Sequence, residues 1–386
     1  MTPIPAPASR LAAQSTRLAF LIAGFAGAAW APLIPYVKLR CGFDDRHLGL
    51  LLLCLGLGSI TTMPVAGVLA GRFGCRWIIA VAVAVVACAL PVLAFSGAPI
   101  VIAVALALFG AGIGSIDCAI NLQAIIVERA CGRAMMSGFH GLFSVGGLLG
   151  ATGASGLLGL GLSPLSTAFI LTGLIVVAGI AAVPGLLSGP LGAGEGPVFA
   201  LPRGVVLALG AMCFIVFLAE GAAIDWSAVF LTTVRHVAVR YGGLGYVAFA
   251  CTMTAGRLYG DRLVGRFRGR TLVVAGGLLA AAGMLLVATV PLWPLTLAGY
   301  AMVGAGCANI VPVLYSAVGR QRRMPEHLAV SAITTLGYAG ILIGPAALGF
   351  VANAASLALA LAAVGVMLVG VAVMGMLLRR SLLEGR

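Results

Sequence analysis

Long apolar runs recur along this 386-residue chain, and short polar or charged segments separate them. A run of roughly 20 apolar residues can cross a bilayer as a helix. The pattern predicts twelve such helices, six on each side of a Gly/Pro-rich stretch at 188–202, and therefore an all-α membrane protein. The predicted spans are 17–37, 47–70, 77–95, 99–126, 136–160, 164–187, 203–231, 243–264, 271–290, 292–318, 328–351 and 355–378.

The two halves of the chain resemble each other. The segments on either side of the 188–202 stretch hold 187 and 184 residues, and six spans each. Span four contains LFGAGIGSIDCAIN from Leu108, and span ten contains MVGAGCANIVPVLY from Met302. Such a repeat predicts two pseudo-symmetric six-helix bundles. The predicted domains are a cytoplasmic tail at 1–16, an N-terminal bundle at 17–187, a cytoplasmic linker at 188–202 and a C-terminal bundle at 203–386.

Composition agrees with the apolar pattern. Hydrophobic residues make up 62% of the chain and charged residues 9%, whereas a soluble domain has about 45–50% and about 25%. Soluble enzymes, disordered chains and secreted disulfide scaffolds are therefore excluded. The nine cysteines contain no CxxC pair and lie mostly inside apolar runs, which predicts no metal site and no cofactor.

The net charge of +13 is explained by the predicted orientation of the chain in the membrane. If both termini are cytoplasmic and the loops alternate, 18 of the 23 basic residues, Arg257 among them, lie on the cytoplasmic side and 5 lie outside. Basic residues collect in cytoplasmic loops. The split predicts cytoplasmic termini and needs no nucleic-acid partner.

Three acids fall inside predicted spans: Asp117, Glu220 and Asp225. Inserting a charged group into a bilayer costs about 2.5–3.5 kcal/mol of free energy on insertion scales, so we expect each acid to have a structural or functional role. Asp117 and Asn121 lie four residues apart on one helix face, and we interpret Asp117 as a proton carrier, with a structural hydrogen bond as the alternative. Glu220 is a second coupling candidate or a structural group. Asp225 is an outer-gate, interfacial or coupling group.

Uncharged polar residues in the spans are candidates for contacting a solute: Asn121, Gln123, Asn309 and Tyr315. His140 and Trp30 join them, although His140 is equally typical of a helix–helix contact and Trp30 of the interfacial aromatic belt. Pro32 and Pro35 are expected to kink span one. We identify no buried Lys or Arg in the spans, and an anionic solute would need one. The polar set therefore predicts a neutral solute.

The loops after spans two and eight resemble the signature of the major facilitator superfamily, Gly-x-x-x-Asp-Arg/Lys-x-Gly-Arg-Arg. The first copy, GVLAGRFGCR, starts at Gly67 and has Gly71 where the acid belongs. The second copy, GRLYGDRLVGR, starts at Gly256 and keeps the acid with slightly stretched spacing. The resemblance implies a gating role for Arg72, Arg76, Asp261, Arg262 and Arg266.

Within that superfamily, the phrases WAPLIPYVK, DCAINLQAIIVER, FHGLFSVGGLLGA and EGAAIDWSAVFL resemble the fucose and rhizopine permease-like branch of bacterial inner-membrane proteins. Members of the fucose group are proton symporters with acids on spans four and one. Asp117 matches the first acid, and span one here has no acid.

The resemblance implies a secondary transporter, monomeric and proton-coupled, that moves a small neutral sugar- or polyol-like solute by alternating access. A proton-coupled exporter of hydrophobic or cationic compounds is the alternative. Such exporters often carry a Gly-Pro motif on span five, and GGLLGATGASG has no proline. The chain contains no HExxH motif and no Walker loop, which predicts neither an enzyme nor an ATP-driven pump.

Overall fold

The computed structural model of the chain describes residues 6–42, 45–191, 201–238 and 241–384. Most of the predicted linker, at 192–200, and the first five residues of the predicted tail lie outside the described residues. The chain divides into two compact units. Unit 1 comprises Met1–Arg133, Leu142–Leu201 and Pro325–Ser331, and unit 2 comprises Ala134–Gly141, Pro202–Met324 and Ala332–Arg386.

Unit 1 contains the first six spans. Its elements are α1 (Ala6–Ala29), a 3₁₀ turn (Ala31–Leu33), α2 (Ile34–Cys41), α3 (Asp45–Phe73), α4 (Cys75–Phe95), α5 (Pro99–Cys131), α6 (Met136–Gly159, from Leu142), α7 (Pro164–Ala182) and a 3₁₀ turn (Val183–Gly185). Helix α5 packs against α1, α3 and α4, and α7 packs against α1 and α4.

Helix α1 begins at Ala6, inside the segment predicted to be a tail. Alanine has the highest helix propensity, and Ala12 and Ala13 are buried, so tertiary packing extends the helix beyond its apolar run. The predicted kink in span one is confirmed. Pro32 and Pro35 lie in the 3₁₀ turn and in the first turn of α2, where a missing N–H is tolerated.

Unit 2 repeats this arrangement. Its elements are α8 (Val205–Val229), a π-helical turn (Phe230–Val234), α9 (Leu244–Phe267), α10 (Gly269–Thr289), α11 (Trp293–Cys307), α12 (Ile310–Val318), α13 (Glu326–Ala354, from Ala332), α14 (Leu357–Leu377) and α15 (Arg380–Glu384). Helix α11 packs against α8, α9 and α10, and α14 packs against α8 and α10. Helices α4 and α10 have equal length, and their equivalent residues are 194 positions apart.

Within the described ranges, eleven segments are long and apolar enough to cross a membrane. Helix α9 is the remaining long helix, with 24 residues. It fails on hydropathy because Arg257, Asp261, Arg262 and Arg266 all lie in it. Its place in the chain and its packing on α11 correspond to those of α3 on α5 in unit 1. The predicted architecture of two six-helix bundles is confirmed.

An arginine caps the C-terminal end of α4 in unit 1, and another arginine caps the equivalent end of α10 in unit 2. Arg40 donates to the carbonyls of Leu93 and Ser96 at the end of α4, and Arg235 donates to the Val287 carbonyl at the end of α10. A guanidinium there pairs with carbonyls that lack intrahelical partners and with the negative end of the helix dipole. These shared caps support the duplication at the level of single side chains.

Candidate functional site

In unit 1, Asp117 lies in the middle of α5 and is 7% exposed. The side-chain amide of Asn121, one turn later and fully buried, donates to the Asp117 backbone carbonyl at 2.9 Å and to its carboxylate at 3.3 Å. The predicted pairing on one helix face is confirmed. No basic side chain of the described ranges forms an ion pair with Asp117. As far as the described residues go, the site is therefore a buried carboxylate without an opposite charge beside it.

Gln123 lies two residues beyond Asn121 and is fully buried. Its amide nitrogen donates to the Thr16 hydroxyl at 3.0 Å, and its amide oxygen accepts the Leu187 N–H at 3.0 Å. These bonds join α1, α5 and the segment after α7. The structure thus places Gln123 in helix packing, whereas the sequence predicted a residue facing a cavity.

In unit 2, Glu220 of α8 and Arg257 of α9 form a buried ion pair. An Arg257 Nη atom lies 3.2 Å from one Glu220 carboxylate oxygen and 3.5 Å from the other. The two residues are 9% and 7% exposed. The prediction that the spans hold no buried Lys or Arg is wrong. Arg257 was counted as cytoplasmic because it opens a charge-rich stretch, but α9 continues to Phe267, which leaves Arg257 ten residues from its end.

Asn309 marks a break in span ten. Helix α11 ends at Cys307 and α12 begins at Ile310. Pro312 explains the break, because it lacks the N–H that would bond four residues back and its ring would clash with that carbonyl. The Asn309 amide donates to the Gly256 carbonyl at 3.0 Å. Its Oδ1 atom is buried, with no hydrogen-bond partner in the described part of the chain.

His140 and Tyr315 meet in unit 2. Their ring centroids are 5.6 Å apart and inclined by 31°, and both side chains are buried. The Tyr315 hydroxyl lies 2.8 Å from the Thr334 hydroxyl. Six of the buried polar side chains of unit 2 form a set that we call the polar cluster of unit 2: His140, Glu220, Arg257, Asn309, Tyr315 and Thr334.

Trp30 follows α1 in unit 1 and is 4% exposed. Its indole N–H is buried without an acceptor among the described residues. Buried indole N–H groups usually have a partner. Trp30 therefore offers an unused donor, and its burial separates it from an aromatic belt at the bilayer surface.

The gating-loop candidates have distinct surroundings. The Asp261 carboxylate accepts the Gly138 N–H at 3.1 Å, in the first turn of α6, where a helix dipole favours an anion. Arg76 donates to the carbonyls of Leu186 and Pro184 at 3.1 and 3.3 Å, and so caps the end of span six. The guanidinium groups of Arg262 and Arg266 lie 5.9 and 5.5 Å from the ring centroids of neighbouring aromatic residues.

The first copy of the signature differs at Gly71. A Cβ atom at Gly71 would lie 2.8 Å from the ring of His327 in the first turn of α13, within unit 1. Beside this histidine, Glu326 pairs with Arg129 at 3.0 Å. Gly71 leaves room for the imidazole where the signature has an acid. Arg72 follows Gly71 directly at the end of α3.

Known proteins resemble this chain in sequence and in fold. No protein-family model matches the chain. It is 50% identical over 358 residues to an uncharacterized MFS-type transporter of Yersinia pestis, with 93% of both chains covered. It is 32% identical over 357 residues to the membrane protein MosC of Rhizobium meliloti, covering 92% of this chain and 87% of MosC. Its fold is similar to that of the E. coli fucose:proton symporter FucP, with a TM-score of 0.75, 15% identity, and 97% of this chain and 99% of the other covered.

Proposed function

Because this chain belongs to the major facilitator superfamily of membrane transporters, and is therefore a transporter rather than an enzyme, we propose that it moves a small, neutral, sugar- or polyol-like solute by alternating access, coupled to protons. The buried Asp117 carboxylate, with its Asn121 hydrogen bond and no basic partner in the described ranges, is the observation that carries the proposal. The fucose:proton symporter with a similar fold supports the choice of solute and ion.

Asp117 suits proton coupling because burial penalises its charged form. A carboxylate held beside a basic side chain would stay ionised through the transport cycle, whereas Asp117 has a neutral amide as its neighbour. It can therefore bind a proton when its surroundings are dry and release the proton when water reaches it. The amide of Asn121 can donate to both forms, so the helix geometry is kept.

The solute class follows from the balance of charge in unit 2. Arg257 removes the argument that no buried cation exists, but Glu220 lies 3.2 Å from it and balances its charge. The polar cluster of unit 2 thus offers amide, hydroxyl, imidazole and paired ionic groups without a surplus of either sign. Such a set fits hydroxyl groups, which need hydrogen-bond partners and no counter-ion. Among its members, Asn309 has a buried oxygen available to accept.

A proton-coupled exporter of hydrophobic or cationic compounds is the second candidate. The same observation favours it, because a buried carboxylate with no basic partner in the described ranges attracts a cation as well as a proton. Binding selectivity distinguishes the two functions. Neutral polyhydroxyl solutes would bind through the polar cluster of unit 2, and lipophilic cations would bind through an acid.

The decisive experiment uses the full-length protein in proteoliposomes with an imposed pH gradient. A panel of sugars, polyols and lipophilic cations is tested first for thermal stabilisation and then for uptake. We expect at least one neutral polyhydroxyl solute to accumulate with the gradient and to lose its accumulation when the gradient is collapsed. Accumulation of lipophilic cations alone would replace this proposal with the exporter.

We also propose that the protein lies in the bacterial inner membrane as a monomer with both termini cytoplasmic. Removing Arg257 from the 18 predicted cytoplasmic basic residues leaves 17 against 5 outside, and this excess still sets the orientation. Reporter fusions after Ser188 and after Arg386 should both show cytoplasmic activity. Periplasmic activity at either point would reverse the assignment.

A further inference from the structure

An apolar groove runs along the lipid-facing side of unit 1 between α4 and α5. It encloses about 620 Å³, and no lining residue is ionisable apart from a cysteine thiol. The lining residues are Val81, Ala84, Val85, Cys88, Ala89, Val92, Ile100, Val101, Val104, Ala105 and Leu108. Several of these are well exposed, Ile100 by 72% and Val104 by 53%. Both helices are membrane-spanning, so the groove faces hydrocarbon.

Two alanines line the groove at positions that are glycines in unit 2. In unit 2, α10 and α11 touch through their backbones, because a Cβ atom at Gly283 would lie 2.6 Å from the Gly299 carbonyl oxygen, and the reverse distance is 2.7 Å. The register of 194 residues places Ala89 and Ala105 at these two positions in unit 1. Both alanines line the groove and are buried between the helices. Their methyl groups therefore lie between α4 and α5 at the level where two glycines lie between α10 and α11.

The length of the groove matches one leaflet of a bilayer. From Val81 to Val92 it follows α4 for eleven residues, which is about 16 Å at 1.5 Å per residue. Half of a hydrocarbon core of about 30 Å is about 15 Å. Val92 lies three residues from the end of α4, beside the turn between α4 and α5, and Val81 lies six residues from its start, so the groove reaches from that turn past the middle of α4.

A basic group stands at the end of the groove beside this turn. Arg40 is exposed and donates to the Leu93 carbonyl, one residue beyond Val92, at 2.9 Å. Its three guanidinium nitrogens donate to the Leu93, Ala94 and Ser96 carbonyls, and the two remaining N–H groups and the positive charge can bind a phosphate. We propose that the groove binds one acyl chain of a membrane phospholipid, with the phosphate of the headgroup at Arg40.

The test uses the full chain in vesicles of phosphatidylethanolamine and phosphatidylglycerol that contain a trace of phospholipid with a photoreactive acyl chain. Trypsin yields two matched fragments, 77–129 with the groove and 271–320 with its unit 2 counterpart, since neither contains an internal basic residue. We expect labelling of 77–129 to exceed that of 271–320 several-fold. Inorganic phosphate should not compete, because the acyl chain supplies the rest of the site.

One variant tests the groove, another tests the headgroup site, and each has a matched control. Val104→Trp fills the groove and should lower labelling of 77–129 several-fold, while Leu174→Trp on the exposed face of α7 should not. Arg40→Gln should lower labelling about fivefold, whereas Arg235→Gln, which removes the matching cap in unit 2, should leave it unchanged. Equal labelling of the two fragments overturns the proposal, as does unchanged labelling in Val104→Trp or in Arg40→Gln.

Discussion

The Arg257→Ala variant is expected to lose about 3–5 kcal/mol of unfolding free energy, because removing one partner of a buried ion pair leaves the other charge buried and uncompensated. Glu220 is 9% exposed and has little access to water. A shape-conserving replacement of both partners, Glu220→Leu with Arg257→Met, should recover most of that loss, since it removes both charges together. Unfolding in detergent, followed by heat and by denaturant, measures the cycle.

The pair of Arg268 and Glu384, in which the arginine is exposed, provides a control within the same unit. These side chains are 3.5 Å apart, and Arg268 is 71% and Glu384 15% exposed. Water already screens such a pair, so Arg268→Ala should cost at most about 1 kcal/mol. If Arg257→Ala costs no more than Arg268→Ala, then Arg257 reaches water and its pairing with Glu220 does not stabilise unit 2.

For transport, the largest effect is expected from Asp117→Asn. The variant keeps the size of the side chain and an oxygen that can accept the Asn121 N–H, so unit 1 should fold normally. Its side chain cannot bind and release a proton near neutral pH. Accumulation against a gradient should fall to the equilibrium ratio, while exchange of labelled for unlabelled solute continues. Proteoliposomes with and without a pH gradient separate these two activities.

Asp225→Asn is the matched control. Asp225 also lies in a span, near its end in α8, and is exposed. Its replacement by asparagine should leave accumulation intact. If Asp117→Asn still concentrates solute when the pH gradient is applied, another group carries the proton. Glu220 would then be the next candidate, since its protonation would also break the ion pair with Arg257.

Hydropathy predicted most of the fold, because a lipid-facing helix must present apolar residues along its whole length. The predicted span 77–95 corresponds to α4, Cys75–Phe95, and 271–290 corresponds to α10, Gly269–Thr289. The beginning of α1 was missed because Ala12, Ala13, Ser15 and Thr16 are buried by packing, although this segment lies outside the apolar run. Helix α9 was predicted, although its charged end lowers the same signal.

The candidate site was predictable where it depends on one helix. Asp117 and Asn121 are four residues apart, so helical geometry alone brings them together. Glu220 and Arg257 are 37 positions apart on different helices, and no local pattern predicts their contact. The repeat could have indicated the position of Arg257. Helices α3 and α9 end at Phe73 and Phe267, which are also 194 positions apart. Aligned by their ends, Arg257 corresponds to Met63, a fully buried residue of α3, and this correspondence indicates the membrane interior rather than a loop.

The interruption of span ten gives the two halves unequal stiffness. Helix α5 runs for 33 residues without a break, and an intact helix resists bending because its backbone hydrogen bonds must deform together. Its counterpart is divided at 308–309 into rods of 15 and 9 residues, and strain in a helix concentrates where a proline removes a bond. The two halves of the repeat therefore differ in mechanics. Helix α5 is one rigid rod, whereas its counterpart can bend at 308–309, where the Asn309 amide donates to the Gly256 carbonyl of α9.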